Sequence, residues 1–261
     1  MNGGTARAAV LYRSLAPGVA EILVDRPERH NAMTLPMYEE LLRIAALLQA
    51  DPSVRCIAVR GAGGKSFVSG TDIDHFRDFA SGSQGVAYEA MIERVIDAFE
   101  RIPVPTVAVV DGWAVGGGLA LATACDFRVC SDAARFGAPI ARTLSNTLSS
   151  RNLARLISAF GVPRVKKMLL LADYVDAAEA LACGYVYAVA PKDALEDAAL
   201  ALGTRLAGLS AVTQRAVKES MRRVVMEQRF DDDDLVDQVY GSQSFRDAVA
   251  QFGSKSSTAK G

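Results

Sequence analysis

The chain is poor in the residues that most often hold metals or serve as nucleophile partners. Its 261 residues include two histidines, His30 and His75, and four cysteines, Cys56, Cys125, Cys130 and Cys183. So few histidines nearly exclude a histidine-rich metal site, and a Ser-His-Asp arrangement would have to use one of the two. No Cys-x-x-Cys pair suggests zinc or redox chemistry. Three of the cysteines lie in apolar segments, where a thiol packs as a small hydrophobe. Excess charge is missing too: 29 Lys and Arg stand against 30 Asp and Glu. Nothing therefore attracts the chain generally to nucleic acid or to an anionic membrane. Long hydrophobic runs are absent, since stretches such as 107–110 and 168–172 fall far short of the roughly 20 residues that span a bilayer. Residues 1–14 carry arginines but no apolar stretch or cleavage pattern of a signal peptide. These absences predict a soluble, cytoplasmic protein with no metal and no bound cofactor, and with neither nucleic acid nor membrane as partner.

Apolar residues make up 50% of the chain and charged residues 23%. That is globular composition with material for a large core, not a disordered chain, a coiled coil or a small disulfide scaffold. Val19–Asp25 is β-branched and apolar and predicts a strand. Residues 36–50 predict a helix, with Thr34 placed to cap it, Pro36 in its first turn and Asp51-Pro52 ending it. Residues 54–60 predict a second strand. Residues 88–102 predict a helix with Tyr88, Ile92, Val95, Phe99 and Ile102 on its apolar face. Glu89, Glu93, Asp97 and Glu100 then fall on a solvated face. Residues 81–85 read as a flexible loop before it. Thr106–Val110 is a continuous apolar run, as in a strand covered on both faces, and residues 126–130 predict another strand. This alternation indicates a layered α/β fold. Beyond it, helices are predicted at 194–207, 211–226 and 244–251, with capping boxes at Asp176/Glu179 and Asp193/Glu196. The acidic run 231–234 reads as a solvated turn or helix start. A soft boundary near residue 205 divides an α/β core, 1–205, from a helical region, 206–261.

Two glycine-bearing turns stand out. One is the segment from Phe67 to Ile73, with Ser69, Gly70, Thr71 and Asp72 at its centre; the other is Gly116-Gly117-Gly118 between a buried strand and an apolar helical segment. Glycine lets a ligand approach the backbone, and uncovered amides at a helix N-terminus polarise a carbonyl or bind an anion. No Gly-Lys-Ser/Thr follows, so the second turn is not a P-loop, and its spacing does not fit a dinucleotide fingerprint. A tight packing turn remains the alternative.

With these turns in view, the chain resembles the crotonase (enoyl-CoA hydratase/isomerase) superfamily. The resemblance rests on VDRPERHNAMT, FVSGTDI, PTVAVVDGWAVGGGLALATACDFRVC, ARFGAPI and DAAEALACGYVYAVAP in order over about residues 8–252. It implies a spiral of ββα turns, a helical C-terminal trimerisation region, a homotrimer or homohexamer, and a coenzyme A thioester as substrate. It implies an oxyanion hole made by the backbone amides of Thr71 and Gly117, flanked by Gly70 and Gly116. The CoA moiety would lie along residues 26–32, including Arg26, Arg29 and Ala32, and along 69–72, including Ser69 and Asp72, with Ile73 a further substrate-binding candidate. Lys255 is a further phosphate partner in this reading; an ordinary solvated charge is the alternative for each basic residue. Asp72 also reads as a loop brace accepting backbone N–H bonds, Asp126 as a core brace and Trp113 as packing.

The resemblance also marks a departure. Hydratases of this kind carry one glutamate two residues after the glycine trio and another after the proline of a Phe-Gly-x-Pro-Glu segment. Those positions are Ala120 and Ile140 here, and neither can transfer a proton. The polar segment 140–151 is expected to face the acyl group, with Arg142, Ser145, Asn146 and Ser149 available to a polar acyl tail. Asn146 falls near the aspartate nucleophile of related dehalogenases and lacks its carboxylate. Glu93 falls where those enzymes carry a helical histidine; a solvated helix face is the simpler reading. His75 is a further base candidate, or a surface residue of a mobile segment. Three readings follow. The chain is an acyl-CoA decarboxylase or thioester hydrolase, a hydratase/isomerase using other acid/base residues, or a non-catalytic CoA-binding protein.

Overall fold

The structure is a computed structural model and describes residues 9–258, with side chains described as far as residue 252. The chain opens with a hairpin, β1 (Ala9–Ala16) and β2 (Val19–Asp25), followed by α1 (Leu35–Ala50). Three successive turns of strand, short strand and helix come next. They are β3 (Cys56–Gly61), β4 (Ser66–Val68) and α2 (Gly82–Glu100); β5 (Thr106–Val110), β6 (Trp113–Val115) and α3 (Gly117–Ala124); and β7 (Phe127–Ser131), β8 (Arg135–Gly137) and α4 (Ser150–Leu170). The first strand of each turn joins a six-stranded sheet, ordered β1-β2-β3-β5-β7 and closed by β10 (Ala188–Ala190). The second strands build a smaller sheet, β4-β6-β8, completed by β9 (Val175–Asp176) just before α5 (Ala177–Ala182). Apart from the β1–β2 and β8–β9 pairs the ladders are parallel. This is the ββα spiral that the family resemblance implies.

The sequence alternation within β5 explains how two layers hold one sheet. Ala108 and Val110 point into the main core with residues of α1, α2 and α3. Val107 and Val109 point the other way, onto Leu202 and Leu206 of α6 (Leu195–Ala207). With both faces covered, the run needs no polar alternation. The chain ends in α7 (Ala211–Arg222), α8 (Asp233–Tyr240) and α9 (Gln243–Thr258). The expected division after residue 205 falls within the last turn of α6. Among the described residues no helix is long and apolar enough to cross a membrane.

Several local expectations change. The segment 81–85 is not a loop: Ser81 and Gln84 form a capping box that starts α2. The acidic face of α2 is not turned to solvent. It packs on the first turns of α4, where Arg155 and Arg151 meet it. Asp176 does accept the Glu179 amide at 2.8 Å, whereas α6 starts at Ala194 with no side-chain cap. Helix α4 is broken at Gly161, whose φ 74° and ψ 154° are not helical, and Pro163 lies in the first turn of its second part.

Candidate active site

The two glycine turns meet at the small sheet. The first leaves β4 through Ser69 and is tied from behind by the segment 26–33. Asn31, fully buried at φ 58°, accepts from the Arg26 amide and donates to the carbonyls of Ala62 and Ser66. Met33 then pairs with Thr71: the Met33 amide donates to the Gly70 carbonyl (2.8 Å) and the Asp72 amide to the Met33 carbonyl (2.9 Å). A parallel bridge of this kind uses the carbonyl of the residue before Thr71 and the N–H of the residue after it, and leaves the Thr71 N–H outside the ladder. Gly70 holds φ 107°, a conformation that L side chains rarely adopt.

The second turn enters α3 directly from β6. The Ala120 amide donates to the Gly116 carbonyl, so Gly117 is the first helical residue and its N–H has no intrahelical acceptor. A Cβ built on Gly117 would lie 3.7 Å from the Gly70 Cα, and one built on Gly70 would lie 3.6 Å from the Gly117 nitrogen. The two backbones therefore face each other across a gap that a single side-chain carbon would fill, with an orphan amide on each side. The positive end of α3 adds to the Gly117 amide. Such an arrangement can hold an oxygen that gains negative charge during reaction.

Three hydroxyls lie beside it. Thr71 Oγ1 is 2.9 Å from Tyr38 Oη and 2.8 Å from Tyr88 Oη. Tyr38 comes from α1 and is buried; Tyr88 comes from α2 and is half-buried. Burial drives the Tyr38 hydroxyl well above the ordinary tyrosine range and Tyr88 up to about 12, so both remain protonated near neutrality. Glu89 follows Tyr88, and its Oε2 accepts the Ser149 amide at 2.8 Å. Burial raises its carboxyl above the usual range despite that hydrogen bond, with Glu93 adding to the shift. The sequence reading missed both tyrosines and misplaced Glu89. Tyr38 and Tyr88 carried a signal only as members of apolar helix stripes.

Several expected site residues have other occupations. Glu93 is held by Arg155 through two bonds of 2.9 and 2.8 Å, by Arg151 at 3.0 Å and by the Ser149 hydroxyl at 3.4 Å. Its carboxylate is committed to the α2–α4 contact, which corrects its candidacy as a base. Arg26 Nη1 donates to Asp72 at 2.6 Å and to the Ala32 carbonyl at 2.9 Å. Its side chain is 14% exposed, so it acts as a strut and not as a free phosphate partner. Asp72 braces its own loop as anticipated, accepting the Asp74 amide at 3.1 Å; that bond, then Arg26 and Arg29, holds its carboxyl below the usual range. Arg29 and Ile73 are exposed, and Ser69 and Ala32 are half-buried. His75 lies on a largely exposed segment, as one reading anticipated, and is itself half-buried against the rings of Phe76, Phe79 and Tyr88. Lys255 lies outside the residues whose side chains are described.

The two positions expected to bear glutamate hold apolar side chains in apolar surroundings. Ala120 is buried in the core. Ile140 and Asn146 line a cavity of about 410 Å³ with Leu148, Leu153, Val165 and Leu169. Arg142 is exposed, its guanidinium 5.9 Å over the Tyr174 ring. Asp126 receives Thr106 and Lys218 (2.6 Å) and braces the core. A larger cavity, about 610 Å³, lies by the last residues of α3 between α4 and α7, away from the two amides. Among the described residues no cluster of three His, Cys, Asp or Glu side chains could hold a metal ion.

Comparison with known proteins agrees with this architecture. The sequence profile described as Enoyl-CoA hydratase/isomerase matches residues 15–257. A probable enoyl-CoA hydratase of Mycobacterium bovis is 33% identical over 210 residues, covering 77% of this chain and 72% of that protein. A short-chain-enoyl-CoA hydratase of Clostridium acetobutylicum is 29% identical, covering 78% of each. The crystal structure of an enoyl-CoA hydratase/carnithine racemase from Magnetospirillum magneticum superposes with a TM-score of 0.84 at 30% identity, covering 92% of this chain and 91% of that one. With the spiral fold, the facing glycine turns and a profile match over nearly its whole length, the chain belongs to the crotonase (enoyl-CoA hydratase/isomerase) family.

Proposed function

We propose that this chain binds an acyl-CoA thioester and stabilises its enolate between the amides of Thr71 and Gly117. The observation that supports this reading is the close approach of Gly70 and Gly117, with room for no more than a side-chain carbon between them, and an orphan amide at Thr71 and at Gly117. Donors aimed at a developing oxyanion strengthen as charge arrives, and each contributes roughly 3–4 kcal/mol in comparable sites. With Ala120 and Ile140 at the glutamate positions, the enolate must arise without that pair. Loss of CO2 from a malonyl-type thioester does this: the carbon–carbon bond breaks, its electron pair enters the thioester carbonyl, and no base is needed. Thioester hydrolysis would use the same hole for a tetrahedral oxyanion. Arg29, exposed beside Asp72, is the cation best placed for a CoA phosphate in this reading. The apolar cavity behind Ile140 suits an aliphatic acyl group.

A second reading has one specific support. Glu89 is half-buried, raised in pKa and adjacent in sequence to Tyr88, which are the properties of a proton-transfer base. If it reaches the acyl chain, isomerase or hydratase chemistry returns. The test is a paired assay of the purified protein with crotonyl-CoA, followed by loss of the enoyl-thioester absorbance, and with malonyl- and methylmalonyl-CoA, followed by CO2 release. Decarboxylation without hydration supports the first reading. Hydration that Glu89→Gln abolishes supports the second. Binding of CoA esters with no turnover across the panel supports a non-catalytic binding protein. Ala120→Glu with Ile140→Glu is expected to confer hydration if the oxyanion hole is intact.

The proposal includes assembly as a homotrimer or homohexamer through the C-terminal helices. In its favour, Met221 and Tyr240 are each 63% exposed and Phe230 is 78% exposed, more large apolar surface than a lone chain ordinarily leaves in water. Sedimentation equilibrium reads the state directly, and a monomer would remove this part.

A further inference from the structure

We propose that the Tyr38 hydroxyl is a third donor to the oxyanion, held in place by Thr71 Oγ1 and Tyr88. The inference deepens the reading just given and rests on it. Its basis is position: a Cβ built on Gly117 would stand 2.8 Å from Tyr38 Oη, while the same oxygen is 2.9 Å from Thr71 Oγ1. The hydroxyl thus bonds the Thr71 side chain and borders the space in front of Gly117, the two residues whose amides are assigned to the hole.

The proton count supports a donor. Three hydroxyls carry three protons, and the chain Tyr38–Thr71–Tyr88 contains two hydrogen bonds. One proton is therefore always free to point out of the chain. When Tyr88 donates to Thr71 and Thr71 to Tyr38, the free proton is the one on Tyr38, beside Gly117. An anion there favours that ordering over the two others, because it rewards an outward proton at that end. The raised pKa values of both tyrosines keep the protons in place. Tyr38 would touch the substrate; Thr71 Oγ1 and Tyr88 act through it as positioning groups. The Thr71 amide is a separate donor that side-chain substitutions leave intact.

The test uses the full chain and two probes: a nitronate analogue of an acyl-CoA enolate, and an unreactive CoA thioether as ground-state analogue. The wild type is expected to prefer the nitronate. Tyr38→Phe and Thr71→Val should each weaken that preference by at least roughly tenfold, as for a hydrogen bond to a charged group. Thioether affinity should stay within about twofold, well under the tenfold step of 1.4 kcal/mol. Thr71→Ser, which keeps the hydroxyl, should restore the preference; a merely structural role for Thr71 would not separate the two probes. If Gly117→Pro loses the preference while Tyr38→Phe and Thr71→Val keep it, the third donor is wrong and the two-amide reading stands. If the wild type shows no preference, the oxyanion reading fails and the third donor falls with it.

Discussion

Arg155→Met separates structure from chemistry at the α2–α4 contact. The Arg155 side chain is 3% exposed; it reaches Glu93 with two bonds and Glu100 with a third at 3.0 Å. Burial alone would lower its pKa, but the hydrogen bond to Glu93 and the charges of Glu100 and Glu93 raise it overall. Methionine fills much of the volume and removes the charge. Glu93 and Glu100, 17% and 19% exposed, are then left with Asp97 and with Arg151, which is half exposed. Removing one partner of a buried ion cluster costs about 3–5 kcal/mol. For a chain of this size that lowers Tm by roughly 6–20 °C, at about 2–4 °C per kcal/mol. Urea titration measures the loss, with an unchanged slope showing that the folded and unfolded ensembles are the same. Turnover per folded molecule should not change. A loss below about 1 kcal/mol would refute the coupling, since that is no more than an exposed surface pair contributes. Glu93→Gln provides the converse check. If it cuts turnover while leaving stability intact, Glu93 works on substrate and its assignment to the helix contact is wrong.

Gly118→Ala should destabilise by about 3 kcal/mol or fail to fold, because its Cβ would stand 1.8 Å from the Val68 carbonyl oxygen and backbone must move; thermal melts read the loss. Gly85→Ala should stabilise by roughly 0.5–1 kcal/mol, since it lies inside α2 with open space at its Cβ position, and the same melts read the gain. Glu219 is held at about 2, first by its hydrogen bond to Arg222 and then by Arg223. A depressed folded pKa gives stability that is complete above the unfolded value of about 4.3 and fades as pH falls toward 2. Glu219→Gln should therefore be less stable than wild type at pH 7, with a gap that narrows below about pH 4 in urea midpoints.

What could be read from the sequence was whatever a local pattern dictates. Thr106–Val110 is a strand because a continuous apolar run has both faces covered, and Val19–Asp25 because its β-branched and apolar residues suit a largely buried pleated chain; both keep the predicted bounds. The glycine turns were legible as places of close backbone approach, because a trio of glycines between a strand and a helix leaves no side chain in the way, although a packing turn has the same pattern. Helix α4 was not legible: Gly161 and Pro163 break its periodicity, and its first turns are polar because they face the acids of α2. The same long-range pairing made the acidic face of α2 look solvated, since periodicity reports which residues share a face and not what that face meets. Tyr38 and Tyr88 were hidden for a related reason. Each satisfies an apolar stripe with its ring, and only the fold brings their hydroxyls to Thr71 across 33 and 17 residues of sequence.

The glycine trio is three requirements and not one repeated. Gly116 needs φ 54°, which turns the chain from β6 into α3 so that the following amide faces outward. Gly117 needs no special angle; it needs the absence of a side chain, because a Cβ there would stand 2.8 Å from the Tyr38 hydroxyl oxygen and crowd it. Gly118 needs room against the Val68 carbonyl, on the strand that leads to Gly70. The first sets direction, the second keeps the hydroxyl beside the amide, and the third fixes how closely the two turns approach. Alanine at these positions should therefore fail in different ways: by backbone strain at 116, by a local clash at 117 and by separation of the turns at 118. Only the clash at 117 is relieved by Tyr38→Phe, because only there is the obstacle a side-chain oxygen. Gly117→Ala should consequently destabilise less in a Tyr38→Phe background than in the wild type, by a coupling of about 0.5–3 kcal/mol for residues in contact. Simple additivity would show that the Tyr38 hydroxyl does not stand against Gly117, and would remove the basis for a third donor.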